Sequence, residues 1–213
     1  MALSAVSDLI KAFREDEKDA VAPYLWSDDK LVRAVNGALA AFCEQTKIVY
    51  DEIEADFAAG ERDLPLSESV LDIVEASIVT PRDRDLKVVA PGVIPRSRLP
   101  RSGYPQYLIA DVVRGQMRIV PAPAEAGTLV LSVVRKPLRE VNKGSTIPDV
   151  PLDYRPHLLH YMRYIAYMDK DGELYDPDKA LAARAIFDSE CQSVYEASLL
   201  RRSAASGPIR FRW

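Results

Sequence analysis

Apolar positions in this chain repeat with a helical period near both ends and lose that period in the middle. Val6, Leu9, Ile10 and Phe13 stand at i, i+3, i+4 and i+7, which predicts a helix over 4–19 with one apolar stripe. A linking turn follows. Ser27 then suits an N-cap, and Asp28 and Asp29 put negative charge on a first helical turn. Trp26 and Leu31 have the spacing of a hydrophobic staple, and Val35, Leu39 and Phe42 carry a second helix to about residue 49. From 52 to 138 prolines recur at 65, 81, 91, 95, 100, 105, 121, 123 and 137, and alternation replaces the stripe. Arg114-Gly115 reads as a hairpin turn, with Met117 and Ile119 on one face and Gln116 and Arg118 on the other. Leu129, Leu131 and Val133 repeat the alternation on the next strand, which ends at Arg135-Lys136-Pro137. Further strands are expected near 55–64, 70–79 and 86–90. Ser67 and Glu68 also suit a helical turn, so 66–79 stays open.

Helical periodicity returns after 150. Asp153 is positioned to cap a third helix, with Pro156 in its first turn. Leu158, Leu159, Met162, Ile165 and Ala166 make one face, and His157, Tyr161, Tyr164 and Met168 a second, bulkier one. A helix apolar on two faces requires cover on two sides. Asp176 and Pro177 open a fourth helix, along which Ala180, Ala183, Phe187, Cys191, Val194 and Ser198 recur at heptad-like spacing. Beyond Leu200 a Ser-Ala-Ala-Ser-Gly-Pro run is expected to break that helix. The pattern predicts an α+β fold, mainly α. A four-helix bundle is built from both chain ends, and a small antiparallel β insertion lies between them. The corresponding segments are 1–50 and 151–200 for the bundle, 51–150 for the Pro-rich insertion and 201–213 for an extended tail.

Composition narrows the function classes. The 213 residues are 48% hydrophobic and 28% charged with net charge −4, an ordinary balance for a globular chain and a poor one for a nucleic-acid glue. No apolar run nears the roughly 20 residues of a membrane span, so no membrane partner is expected. The acidic amphipathic start is unlike a secretory leader, so synthesis in a cytoplasm is expected. Cys43 and Cys191 both fall in predicted helices and read as small buried hydrophobes. Charge is unevenly spread. Residues 80–106 hold six basic side chains against two acids, and 197–213 hold four arginines and no acid.

The residues show no strong catalytic constellation. His157 and His160 have i, i+3 spacing, but no cysteine lies nearby and the closest acid, Asp153, is assigned to a cap, so no metal is expected. Asp169, Asp171, Gly172 and Asp178 fit a calcium loop badly, since Tyr167 would fall at its first ligand position. Glycine-rich phosphate loops and nucleophile elbows are missing from the sequence, and no cofactor is expected. Carboxylates cluster at Glu15/Asp16/Glu17 and at Glu52/Glu54, and these supply the one enzymatic alternative, a carboxylate-based glycoside hydrolase acting on cell wall. The two-faced third helix favours a building block instead, with Tyr161, Tyr164 and Met168 at a contact with a neighbouring copy.

In the order of its elements the chain resembles the head-to-tail adaptor (connector) proteins of short-tailed bacteriophages. The marks are Ser27-Asp28-Asp29, Gly103-Tyr104-Pro105 before 107–109, Pro121-Ala122-Pro123, Arg135-Lys136-Pro137, Ile147-Pro148 before Tyr154 and His157, and then Tyr164, Ala166 and Tyr167 ahead of Asp176, Lys179, Ala180 and Phe187. The resemblance implies a non-enzymatic virion protein at the head–tail interface. It implies a homo-oligomeric, twelve-fold ring that joins the portal protein to a downstream tail or nozzle protein. It also implies a channel that DNA crosses without specific binding. Within that frame Arg82, Arg84, Lys87, Arg96, Arg98 and Arg101 are expected to meet the tail component. Arg201, Arg202, Ile209, Arg210, Phe211, Arg212 and Trp213 are expected to meet the portal, because 209–213 alternates bulky apolar residues with arginine as an added strand would.

Overall fold

A computed structural model describes residues 3–100, 102–169 and 174–205. Among these residues the chain forms four helices, α1 (Val6–Asp16), α2 (Asp28–Thr46), α3 (Arg155–Tyr167) and α4 (Pro177–Ala205). It also forms seven strands, β1 (Tyr50–Phe57), β2 (Asp63–Pro65), β3 (Val70–Thr80), β4 (Arg84–Val89), β5 (Tyr107–Val113), β6 (Gln116–Val120) and β7 (Gly127–Arg135). They divide into two compact units, 1–48 with 137–213, and 49–136.

In the helical unit the stripe Val6, Leu9, Ile10 and Phe13 of α1 is buried throughout. Asp8 accepts the Ser4 and Ala5 backbone N–H groups at 3.0 and 2.9 Å, which satisfies donors that open α1. Ser27 caps α2 by accepting the Lys30 N–H, and Trp26 and Leu31 are both buried, in keeping with the expected staple. Helix α2 ends at Thr46, where Lys47 takes a left-handed conformation (φ 49°). Helix α3 packs on α4 and α2, and α1 touches α2 and α3. Its start differs from expectation. Asp153 sits exposed in a short 3-10 turn (Leu152–Tyr154), and no side chain caps α3. Arg155 anchors this entry instead. It is buried and donates to four carbonyls, of Val150, Leu3, Ser4 and Ile147. Asp176 caps α4 by accepting the Lys179 N–H at 2.9 Å. Helix α4 runs on past Leu200 to Ala205, because Ser203, Ala204 and Ala205 tolerate a helix that is already propagating.

The expected mainly α fold, a four-helix bundle with a small antiparallel insertion, does not hold. The β unit is a seven-stranded sheet in the order β1-β7-β3-β4-β5-β6-β2, and β4 pairs parallel with β5. Its own core holds Phe57, Leu64, Ile73, Leu108, Met117, Ile119, Leu129, Leu131 and Val133, so it is a folding unit and not an appendage. The strand expected near 55–64 is two strands, β1 and β2, separated by a turn at Gly60 (φ 79°). The stretch left open near 66–79 is β3, the second neighbour of β7. The Arg114-Gly115 hairpin is present, with Gly115 at φ 76°.

Candidate functional site

The bulky second face of α3 is half-buried, in agreement with its two-faced pattern. Tyr161 and Tyr164 meet edge to face at 5.4 Å between centroids, and Tyr161 also packs on Phe187 of α4 at 4.9 Å. The Arg184 guanidinium lies 4.9 Å from the Tyr161 ring and 5.4 Å from the Tyr164 ring, with Asp188 holding it in place at 2.9 Å. The two tyrosines therefore differ. Tyr161 belongs to the α3–α4 packing, whereas Tyr164 and Met168 line a groove of about 590 Å³ with Trp26, Lys30, Arg33 and Ala34. Trp26 is fixed by donating its indole N–H to the Ala166 carbonyl and by edge-to-face contact with Tyr167. The residues from α2 in this groove escaped sequence reasoning, since the spacing of one helix does not say which residues of another face it.

Charged pairs knit the same unit. Glu17, 6% exposed at its side chain, accepts from Arg163 at 2.7 Å, from Lys179 at 2.8 Å and from the Tyr167 hydroxyl. Burial pushes its carboxyl up, yet these hydrogen bonds and the Lys179 charge outweigh burial and hold it below the ordinary carboxylate range. Arg14 is buried, pairs with Asp19 and Asp28, and donates to the Trp26 carbonyl. His157 lies 2.7 Å from Glu190 through its Nδ1, and His160 Nε2 lies 3.7 Å from the same carboxylate. Burial lowers the His160 imidazole despite the opposing pull of Glu190. Among the described residues no group of three His, Cys, Asp or Glu is placed to hold a metal ion. The enzymatic alternative asks for a carboxyl with a raised pKa as general acid. Asp16 and Glu17 instead serve Arg163, and Glu17 is shifted the opposite way.

The basic residues of 80–106 lie on the β unit in two settings. Arg84 and Lys87 belong to β4, an interior strand, while 81–83, 90–100 and 102–106 run outside the strands. Arg82 and Arg84 both lie over the Tyr104 ring, at 5.8 and 4.9 Å, and Arg82 donates to its hydroxyl at 3.4 Å. Arg98 is exposed in a 3-10 turn, Arg96–Arg98, of which the Arg96 side chain is not described. Arg101 lies outside the described residues. Arg201 and Arg202 are exposed on the last turns of α4. Ile209, Arg210, Phe211, Arg212 and Trp213 also lie outside the described residues.

No helix among the described residues is long and apolar enough to cross a membrane. A family model described as SU10 adaptor protein matches residues 4–212. No curated protein matches the chain.

Proposed function

Because the chain belongs to the SU10 adaptor family and is thereby a bacteriophage structural adaptor protein, we propose that copies of it close into a ring between portal and tail that continues the channel for DNA. The observation that carries this is the extent of the family match, 4–212, which takes in both units. The twelve-fold order, the short-tailed phage type and the absence of catalysis belong to the same proposal. A ring requires a heterologous contact, one patch on each copy meeting a different patch on the next. The groove bearing Tyr164 and Met168 supports that role, since aromatic and methionine side chains suit the centre of an interface. Arg82, Arg84, Lys87 and Arg98 are assigned to the downstream tail component. The shared Tyr104 ring orders two of them before any partner arrives.

Mixing the purified chain with candidate portal rings and imaging the product tests this directly. The expected product is a portal ring bearing a second ring of matching symmetry. A chain that stays unbound at micromolar concentrations of both proteins overturns it. Arg82→Glu with Arg98→Glu is expected to leave portal binding intact and to abolish addition of the tail.

A further inference from the structure

The β sheet has one long unpaired edge. Among the described residues β1 pairs with β7 alone, and over Asp51–Phe57 the backbone groups turned away from β7 meet no second strand, although the Glu52 N–H bonds the Asp51 carboxylate at 2.9 Å. The opposite edge, β2, has three residues and ends in Pro65, which has no N–H to offer a long strand. Along β1, Glu52, Glu54 and Asp56 are exposed on one face, while Ile53 and Ala55 lie partly buried against the sheet core on the other. Glu52 and Glu54 have no ion-pair partner among the described residues. Two β1 edges repel one another through these carboxylates, so the edge selects against its own copy. It favours a basic strand with apolar residues at the alternate positions. Residues 209–213, Ile-Arg-Phe-Arg-Trp, have that pattern. A strand placed beside β1 sets Arg210 and Arg212, two residues apart, along the carboxylates, and Ile209, Phe211 and Trp213 over Ile53 and Ala55.

We infer that 209–213 of one copy adds as an extra strand to the β1 edge of a second copy. Backbone hydrogen bonds supply the affinity, and the alternating charges fix the register. Such a contact is heterologous, since each copy gives one strand and receives another, and it deepens the ring reading on which it rests. The portal, to which the sequence alone assigned this segment, is the competing partner.

A fluorescent peptide of residues 207–213 is titrated into full-length chain carrying R210E and R212E, whose own segment no longer competes. Saturable binding is expected. It should weaken at least tenfold when E52K and E54K are added to that chain, and it should return when the peptide itself carries R210E and R212E. No binding, or binding indifferent to Glu52 and Glu54, overturns the inference. Self-association of the wild-type chain, read by sedimentation without portal, separates a second copy from the chain's own edge. Concentration-dependent association is expected, weakened at least tenfold in E52K/E54K and in R210E/R212E, and restored when the two variants are mixed. A wild type that stays monomeric, or a mixture that stays dissociated, overturns docking between copies. Portal binding lost in R210E/R212E but kept in E52K/E54K assigns the segment to the portal, overturning the inference and leaving the adaptor reading intact. Failure of wild type to bind portal sinks that reading without touching the peptide result.

Discussion

Gly127 lies so close to the Thr80 carbonyl that a Cβ on it would sit 2.0 Å from that oxygen and 2.8 Å from the Phe57 ring. The contact joins β1, β3 and β7 at one point, with Phe57 paired to Gly127 and Thr80 to Thr128. Because the nearest atom is backbone, no side-chain rotation relieves the clash. Gly127→Ala is expected to cost roughly 1–3 kcal/mol or more through forced strand displacement. Gly144→Ala, whose nearest neighbour is 3.6 Å away, should stay within about 0.5 kcal/mol of wild type. Equal melting temperatures for the two variants would contradict this geometry.

The Arg155 fork is a second point of concentration. Its donors satisfy four carbonyls, two from residues 3–4 and two from residues 147–150. Methionine keeps the volume and strands those acceptors, at about 1–3 kcal/mol for each buried acceptor left unmade. Arg155→Met is expected to lower the urea midpoint strongly. Arg155→Lys should fall between it and wild type, because an ammonium cannot reproduce the planar fork.

Acid should unfasten the helical unit through Glu17. Its folded pKa lies below the unfolded value of roughly 4.3, so its stabilising contribution is complete above that value and is lost as pH falls through the folded pKa. Glu17→Gln is expected to cost about 1–3 kcal/mol at pH 7. The gap between variant and wild type should close as pH falls below that unfolded value and through the folded one. Denaturation series at several pH values read this, and a gap independent of pH removes Glu17 as the cause.

The buried thiol of Cys191 should be chemically silent in the folded protein. Burial first, with the Asp188 and Glu190 charges adding, pushes it up to about 12, so almost no thiolate exists at neutral pH. A disulfide reagent is expected to label it at the rate of unfolding, and promptly in denaturant. Prompt labelling of native protein would place Cys191 at the surface.

The two tyrosines of α3 should separate folding from assembly. Tyr161→Ala removes packing on Phe187 and is expected to lower stability by about 2–4 kcal/mol. Tyr164→Ala should leave most stability and reduce ring assembly at least tenfold, measured as the protein concentration needed to saturate portal rings. A Tyr164→Ala chain that assembles normally but melts early would make Tyr164 a core residue.

The sequence makes the helices legible because each carries an apolar stripe and two of them a readable cap. Ser27 and Asp176 announce α2 and α4, and the buried face of α1 is the one that its spacing marks. The β unit is harder to read. β1 is acidic and alternating, and β2 has only three residues, so neither shows the apolar run that would mark the edges of a seven-stranded sheet. β4 carries Arg84 and Lys87 between prolines, so only its part near 86–90 reads as a strand, yet its backbone pairs with β3 over 84–86 and with β5 over 87–89. Local pattern records which face of a strand is wet. It does not record how many strands share a core, and that number decides whether the sheet is an insertion or a unit. At the candidate interface Tyr164 and Met168 were visible from one helix, while Trp26 and Lys30 needed the partner helix α2 to bring them alongside.

The discontinuity of the helical unit sets an order of events on the ribosome. β7 is the last strand made and lies between β1 and β3, so the sheet cannot complete until residue 135 has left the exit tunnel, and it can then close before α3 has emerged. α1 and α2 are made first and must wait, with Leu9, Phe13, Leu31 and Phe42 uncovered, until α3 and α4 follow more than a hundred residues later. At roughly 5–20 residues per second that interval lasts many seconds. The nascent amino-terminal hairpin is therefore expected to be a target for chaperones during synthesis.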